Sequence, residues 1–165
     1  MILQYSKPAY ILYPSGTNLN YTLNYTKEVS KIILKTFESG SFYLIARGSS
    51  GAILSALVAK DLCDNGRDVS IIISRKQSES SHGENMEDIN LANKPDSHII
   101  VIDDLIDTGN TIMRILNDLD YHGFSYPEML CISNSSGNLA GKIGSNYEII
   151  KNRFKYITCN PISNV

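Results

Sequence analysis

The chain has no tryptophan, only three histidines, and no apolar run long enough to cross a bilayer. Its longest aliphatic stretches, 71–73 and 99–102, fall far short of the roughly 20 residues that a spanning helix needs. The opening Met-Ile-Leu-Gln-Tyr also lacks the basic-then-apolar pattern of a secretory signal. A cytoplasmic protein without a membrane partner is expected. Cys63, Cys131 and Cys159 are odd in number, widely spaced and set among apolar residues, which argues against a disulfide framework or a zinc site. His82, His98 and His122 show no metal-ligand spacing. A formal net charge of -2 leaves no basic excess for a nucleic-acid backbone, so any phosphate binding has to be local.

What is present suits a single α/β domain. A 165-residue chain that is 42% hydrophobic holds one core of ordinary size. Apolar runs at Phe42 to Ala46, Val69 to Ser74, 99 to 102, Met129 to Ser133 and Phe154 to Cys159 predict strands. Between them, Val29, Ile32, Ile33 and Phe37 recur at helical spacing, with Thr26 as cap and Gly40 as stop. A second helix is expected from Ala52 to Asp64, with Ile53, Leu54, Leu57, Val58 and Leu62 on its apolar side. A third runs to about Tyr121 on Ile112, Ile115, Leu116 and Leu119. Alternation of strands and helices implies a mainly parallel, twisted sheet flanked by helices. Residues 8 to 24 predict two short extended pieces around a Pro14-Ser15-Gly16 turn, giving a small N-terminal segment (1–25) before a core (26–165).

The most informative segment is His98-Ile-Ile-Val-Ile-Asp-Asp-Leu-Ile-Asp-Thr-Gly-Asn-Thr111. Four aliphatic residues predict a strand buried on both faces, and Asp103 and Asp104 then stand at its carboxyl end, where α/β sheets bind ligands. Thr108-Gly109-Asn110-Thr111 turns the chain into a helix whose free N-H groups suit a phosphate. Adjacent carboxylates repel phosphate but suit a pair of vicinal hydroxyls, each charge-assisted bond contributing roughly 1.5 to 3 kcal/mol. Together these describe a site for ribose 5-phosphate. A second loop, Ala46-Arg47-Gly48-Ser49-Ser50-Gly51, offers backbone N-H groups and one guanidinium between a strand and a helix. A third, from Arg75 and Lys76 through His82 and Gly83 to Asp88, is a long polar stretch directly after a strand, the usual place for a lid.

The run Asp103-Asp104-Leu-Ile-Asp107-Thr108-Gly109-Asn110-Thr111 is similar to the signature of the type I phosphoribosyltransferases, which use 5-phosphoribosyl 1-diphosphate (PRPP). The resemblance spans roughly residues 10 to 133. It implies that Asp103 and Asp104 hold the ribose hydroxyls, that Asp107, Thr108, Gly109, Asn110 and Thr111 bind the 5-phosphate, and that Arg47, Gly48 and Ser49 bind pyrophosphate. A non-proline cis peptide would then fall between Ala46 and Arg47. Arg75, Lys76 and His82 would assist pyrophosphate departure from a loop that reaches a neighbouring subunit, which implies a homodimer. Mg²⁺ would be held mainly through PRPP near Asp103 and Asp104.

In layout the chain resembles the orotate enzymes most. Arg75-Lys76 and His82-Gly83 match their mobile loop, although Ser80 and Ser81 stand where they have Lys and Asp. Leu12-Tyr13-Pro14-Ser15-Gly16 and Tyr21 resemble their hood over the base, with Tyr13 or Pro14 in place of the orotate-contacting Lys. Tyr21 either stacks on a base or packs in the core. Asp107, directly before Thr-Gly, instead matches the purine branch, where that residue is assigned acid/base work. The resemblance implies transfer of phosphoribose from PRPP to a nucleobase. A PRPP- or nucleotide-sensing regulator without chemistry is the alternative, and a hydrolase acting without a base is a third.

Overall fold

In the computed structural model, residues 2–4, 19–75, 86, 89–92, 95–105, 108–134 and 144–159 are described. They build one six-stranded sheet, every pair of which is parallel. The strands are β1 (Ile2–Gln4), β2 (Ser41–Ala46), β3 (Val69–Ile73), β4 (Ser97–Leu105), β5 (Met129–Asn134) and β6 (Tyr156–Cys159). The helices are α1 (Leu19–Thr36), α2 (Gly48–Asp64), α3 (Asn110–Tyr121) and α4 (Tyr147–Arg153), with short 3-10 turns at Ile89–Ala92 and Gly144–Asn146. Across the sheet the order is β1-β6-β5-β4-β2-β3.

Strand alternation explains why so many successive residues are apolar. Tyr43, Ile45, Val101, Leu130 and Ile132 face one layer with Ile112, Ile115, Leu116 and Leu119 of α3. Phe42, Leu44, Ile100, Ile102, Met129 and Cys131 face the other, under Val29 and Ile33 of α1 and Leu54, Val58 and Leu62 of α2. A sheet covered on both faces permits no polar alternation. Met86 and Ile89, both fully buried, anchor the far end of the polar stretch after β3 into the α3 layer. Gly40, at φ +107, ends the turn after α1 where a side chain would collide with the Asp96 carbonyl oxygen and the His98 ring.

Several boundaries differ from expectation for identifiable reasons. Helix α1 begins at Leu19, so residues 19 to 24 are helical rather than extended, and Thr26 is not a cap. Its hydroxyl instead donates to the Leu23 carbonyl within the helix. The expected turn at Pro14-Ser15-Gly16 lies outside the described residues. Helix α2 begins at Gly48, four residues before the apolar spacing starts, because its first turn Gly-Ser-Ser-Gly has no apolar residue to betray it. Ile53, expected in the core, is 46% exposed, the buried side of α2 being Leu54, Val58 and Leu62. Neither β1, which adds to the sheet through Ile2 and Ile157, nor α4 was anticipated. Both segments are too short for periodicity to register.

Candidate active site

Where the chain order reverses, two strand ends diverge and leave a crevice. Here that point is the β2–β4 junction: β2 continues into α2 on one face, β4 into α3 on the other. Such switch points are the default ligand site of doubly wound sheets. Sequence reading placed its two strongest loops at the ends of these two strands.

Strand β4 is longer than its apolar run. It continues to Leu105, with Asp103 opposite Ile132 and Leu105 opposite Asn134 of β5. Asp103 is therefore a strand residue, 5% exposed, rather than part of a solvated turn. Its Oδ1 accepts the backbone N-H of Asp104 at 2.9 Å, which orders the two acids with respect to each other. Burial pushes the Asp103 carboxyl up to about 8, helped by the charge of Asp104 and a side-chain hydrogen bond between them. The buried Asp103 carboxyl therefore holds its proton near neutrality. Among the described residues no cationic side chain pairs with either acid. The site's charge is left for a ligand to meet.

Beyond β4 the chain reaches Thr108 and Gly109, whose φ of +75 makes the turn into α3. An L-residue there would adopt the left-handed region at a cost of roughly 1 to 2 kcal/mol. Gly109 is the helix cap, not Thr108 or Asn110, and no side chain caps α3. The Asn110 N-H donates to Thr108 Oγ1 in a long bond of 3.4 Å that an anion can displace, at a helix start whose first-turn N-H groups have no intrahelical partner. Asn146 braces this turn from the 3-10 segment. Its Nδ2 donates to the Thr108 carbonyl at 2.9 Å and to Asn110 Oδ1 at 3.3 Å. Asp107 lies outside the described residues.

The β2–α2 junction is built differently. The Ala46–Arg47 peptide is trans, contrary to the family-based expectation. Arg47 is extended (φ -136, ψ 129) and Gly48 makes the turn at φ +76, so the sharp change of direction falls on a glycine instead of on a peptide bond. Nothing lies within 4 Å of where a Gly48 side chain would be, so the space beside it is open. Three residues on, Gly51 is needed for room: a Cβ there would sit 3.1 Å from the Ile102 carbonyl oxygen of β4. Small residues therefore bring the uncapped start of α2 down onto the strand that carries the acids.

Arg47 does not point out into solvent. Its Nη1 donates to Ser74 Oγ at 2.6 Å and to Asp118 Oδ2 at 3.1 Å, and Ser74 Oγ donates to the same carboxylate oxygen at 2.6 Å. Sequence reading missed Ser74 and Asp118. Asp118 follows Ile115 by three on α3, beside the buried stripe, an uncommon place for an acid. That was the one available signal. Of the other expected residues, Arg75 is half-buried at the end of β3, Ser49 is exposed on the first turn of α2, and Thr111 is half-buried on α3. Lys76, His82 and the side chain of Tyr21 lie outside the described residues. Gly48 and Ser49 thus follow the carboxyl end of β2, and Asp103, Asp104 and the 108–111 turn stand at the end of its neighbour β4.

A parallel sheet of this order with helices on both faces defines a doubly wound α/β domain. More particularly, residues 17–132 match the family model for the phosphoribosyl transferase domain, and the chain belongs to that family, with the type I fold. Among solved structures, hypoxanthine phosphoribosyltransferase from Trypanosoma cruzi in complex with the product IMP is similar at TM-score 0.58 and 16% identity. That match covers 99% of this chain and 85% of that one. Adenine phosphoribosyltransferase from Saccharomyces cerevisiae, bound to an imino-altritol bisphosphate and adenine, gives TM-score 0.56 and 18% identity over 75% and 73%. Comparison with curated protein sequences gives no significant match. No helix among the described residues is long and apolar enough to cross a membrane.

Proposed function

We propose that the protein transfers the phosphoribosyl group of PRPP to a nucleobase, releasing pyrophosphate. The carrying observation is the placement of Asp103 and Asp104 at the switch point between two uncapped helix starts, at Gly48 and Asn110. That is the charge pattern of PRPP itself: a monophosphate, a diol and a diphosphate in order. Asp107 to Thr111 would take the 5-phosphate, while Gly48 and Ser49 N-H groups, with the Arg47 charge beside them, take pyrophosphate. Asp103 and Asp104 would hold the 2- and 3-hydroxyls on a rigid strand and, with Asp103 giving up its proton as PRPP and its cation bind, would stabilise the positive charge that develops on the sugar. A ring nitrogen of the base bonds to C1 as the C1–O bond breaks, its electron pair leaving with pyrophosphate. The base's proton passes to Asp107 or to solvent. Arg75, Lys76 and His82 would cover the departing group in a homodimer whose polar segment reaches the partner site.

Mg²⁺ fits the donor set. Two hard carboxylates suit it, and no group of three or more acids, histidines or cysteines exists among the described residues to cage a metal without ligand oxygens. The ion would neutralise the diphosphate as it leaves.

The base is proposed to be a purine. Three features support this: Asp107 before Thr-Gly, the missing hood Lys, and the hypoxanthine and adenine named for the similar structures. Tyr21 is the candidate for stacking on it. The same reading places the protein in nucleotide salvage in the cytoplasm. A second reading, a PRPP- or nucleotide-binding regulator, is favoured by one observation, the engagement of Arg47 by Asp118. Incubation with PRPP, Mg²⁺ and separate purine and pyrimidine bases, with mass detection of nucleoside monophosphate, decides between them. A nucleotide with hypoxanthine, guanine or adenine supports purine transfer; orotidylate alone overturns the choice of base. Tight PRPP binding without any product supports the regulator.

A further inference from the structure

Resting on the reading above, we propose that Asp118, together with Ser74, is a positioning residue for the diphosphate end of the site, acting through Arg47. The Arg47 side chain is 8% exposed and that of Asp118 17%, so the pair is largely withdrawn from water. A guanidinium so placed is tolerable only with a carboxylate against it, which makes Asp118 the group that decides where Arg47 lies. Arg47 immediately precedes Gly48, the residue that turns the chain into the first turn of α2. The path of that turn, and the direction of its N-H groups, follows from where Arg47 is held.

Ser74 locks the arrangement from a second side. Its backbone N-H donates to the Ala46 carbonyl at 2.8 Å, while its hydroxyl completes the ring with Arg47 and Asp118. Ser74 is also the residue before Arg75, where the polar stretch leaves β3. Asp118 belongs to the helix that opens at the 5-phosphate turn, eight residues or about 12 Å earlier along its axis. One rigid helix therefore reaches both phosphate ends, and the ring fixes their separation. Asp118 touches no ligand in this arrangement.

The experiment compares wild type with Asp118→Ala, Asp118→Asn and Ser74→Ala. Calorimetry measures binding of magnesium pyrophosphate and, separately, of ribose 5-phosphate; steady-state kinetics measure KM for PRPP and for the accepted base. Asp118→Ala is expected to weaken pyrophosphate about tenfold or more and raise KM for PRPP correspondingly. Ribose 5-phosphate affinity and the base KM should stay within about twofold, because the 5-phosphate turn at the other end of α3 is undisturbed. Asp118→Asn, which keeps the shape and loses the charge, and Ser74→Ala should move the same quantities less. These two carry the test if the alanine variant does not fold. Equal loss of both ligands, or Asn and Ser74→Ala variants indistinguishable from wild type, would overturn the proposal. A wild-type protein that binds neither ligand defeats the functional reading, and the inference with it.

Discussion

Two strand-to-helix junctions line the same crevice, yet they are held in different ways. After β4, the chemistry is carried by consecutive residues: Asp103, Asp104, then Thr108 to Thr111. After β2, the junction depends on partners far away in sequence, with Arg47 tied to Ser74 and to Asp118, 71 positions on. A site built from neighbours in the chain can be read from the chain. One built from long-range partners shows only its glycines and serines. Both junctions put a positive-φ glycine at the helix start, Gly48 and Gly109, and neither has a side-chain cap. The common element is backbone N-H left open; the difference lies in what fixes it.

The sharpest way to break the comparison is to remove the acids. Asp103→Asn with Asp104→Asn should lower turnover by about a thousandfold or more, since the charge that favours the sugar cation is lost. The circular dichroism spectrum should remain that of wild type. Retained turnover would show that the acids are not the centre of the β4 junction.

The next effect is on stability. Because the folded protein raises Asp103 to about 8 from an ordinary value near 4, the folded state holds a proton that the unfolded chain releases. Stability from this source is full below about pH 4 and is lost as pH rises through about 8, by at most about 1.4 kcal/mol per unit. Thermal melts from pH 5 to 8.5 should therefore fall in wild type and flatten in Asp103→Asn. A wild-type profile that rises over this range would contradict the assigned burial of the acid.

Smaller effects separate the two roles of glycine in α2. Gly48→Ala meets open space but a left-handed backbone, costing roughly 1 to 2 kcal/mol and raising KM for PRPP. Gly51→Ala has no positive φ to violate, yet must push α2 away from the Ile102 carbonyl. A compensating Ala46→Gly, which removes the Cβ 3.3 Å from the added atom but leaves the nearer Ile102 carbonyl, should relieve the Gly51→Ala defect only in part, and no relief at all would contradict a lack of space there. The smallest effect is expected at Lys31→Ala, which breaks the exposed ion pair to Glu28 at 2.6 Å on the surface of α1. Chemical denaturation should report a loss of about 1 kcal/mol or less, with kinetics unchanged.

The legible parts of the molecule follow the same division. The five core strands and the buried stripe of α3, Ile112, Ile115, Leu116 and Leu119, announce themselves by period and composition. The α2 start did not, because Gly-Ser-Ser-Gly has turn composition and becomes helical only when Gly48 turns the chain down onto β4. The reach of β4 to Leu105 was hidden because pairing with β5, not local preference, carries two acids into a strand. Asn146, bracing the 5-phosphate turn from 36 residues away, left no signal in a polar, turn-rich stretch.

The most direct measurement is calorimetric titration of PRPP with Mg²⁺ into wild type and into the Asp103→Asn, Asp104→Asn variant. Saturable binding by wild type, weakened at least about a hundredfold in the variant, is the result expected of two charge-assisted contacts to the ribose. Equal affinity for the two proteins would contradict the placement of the sugar between the two helix starts.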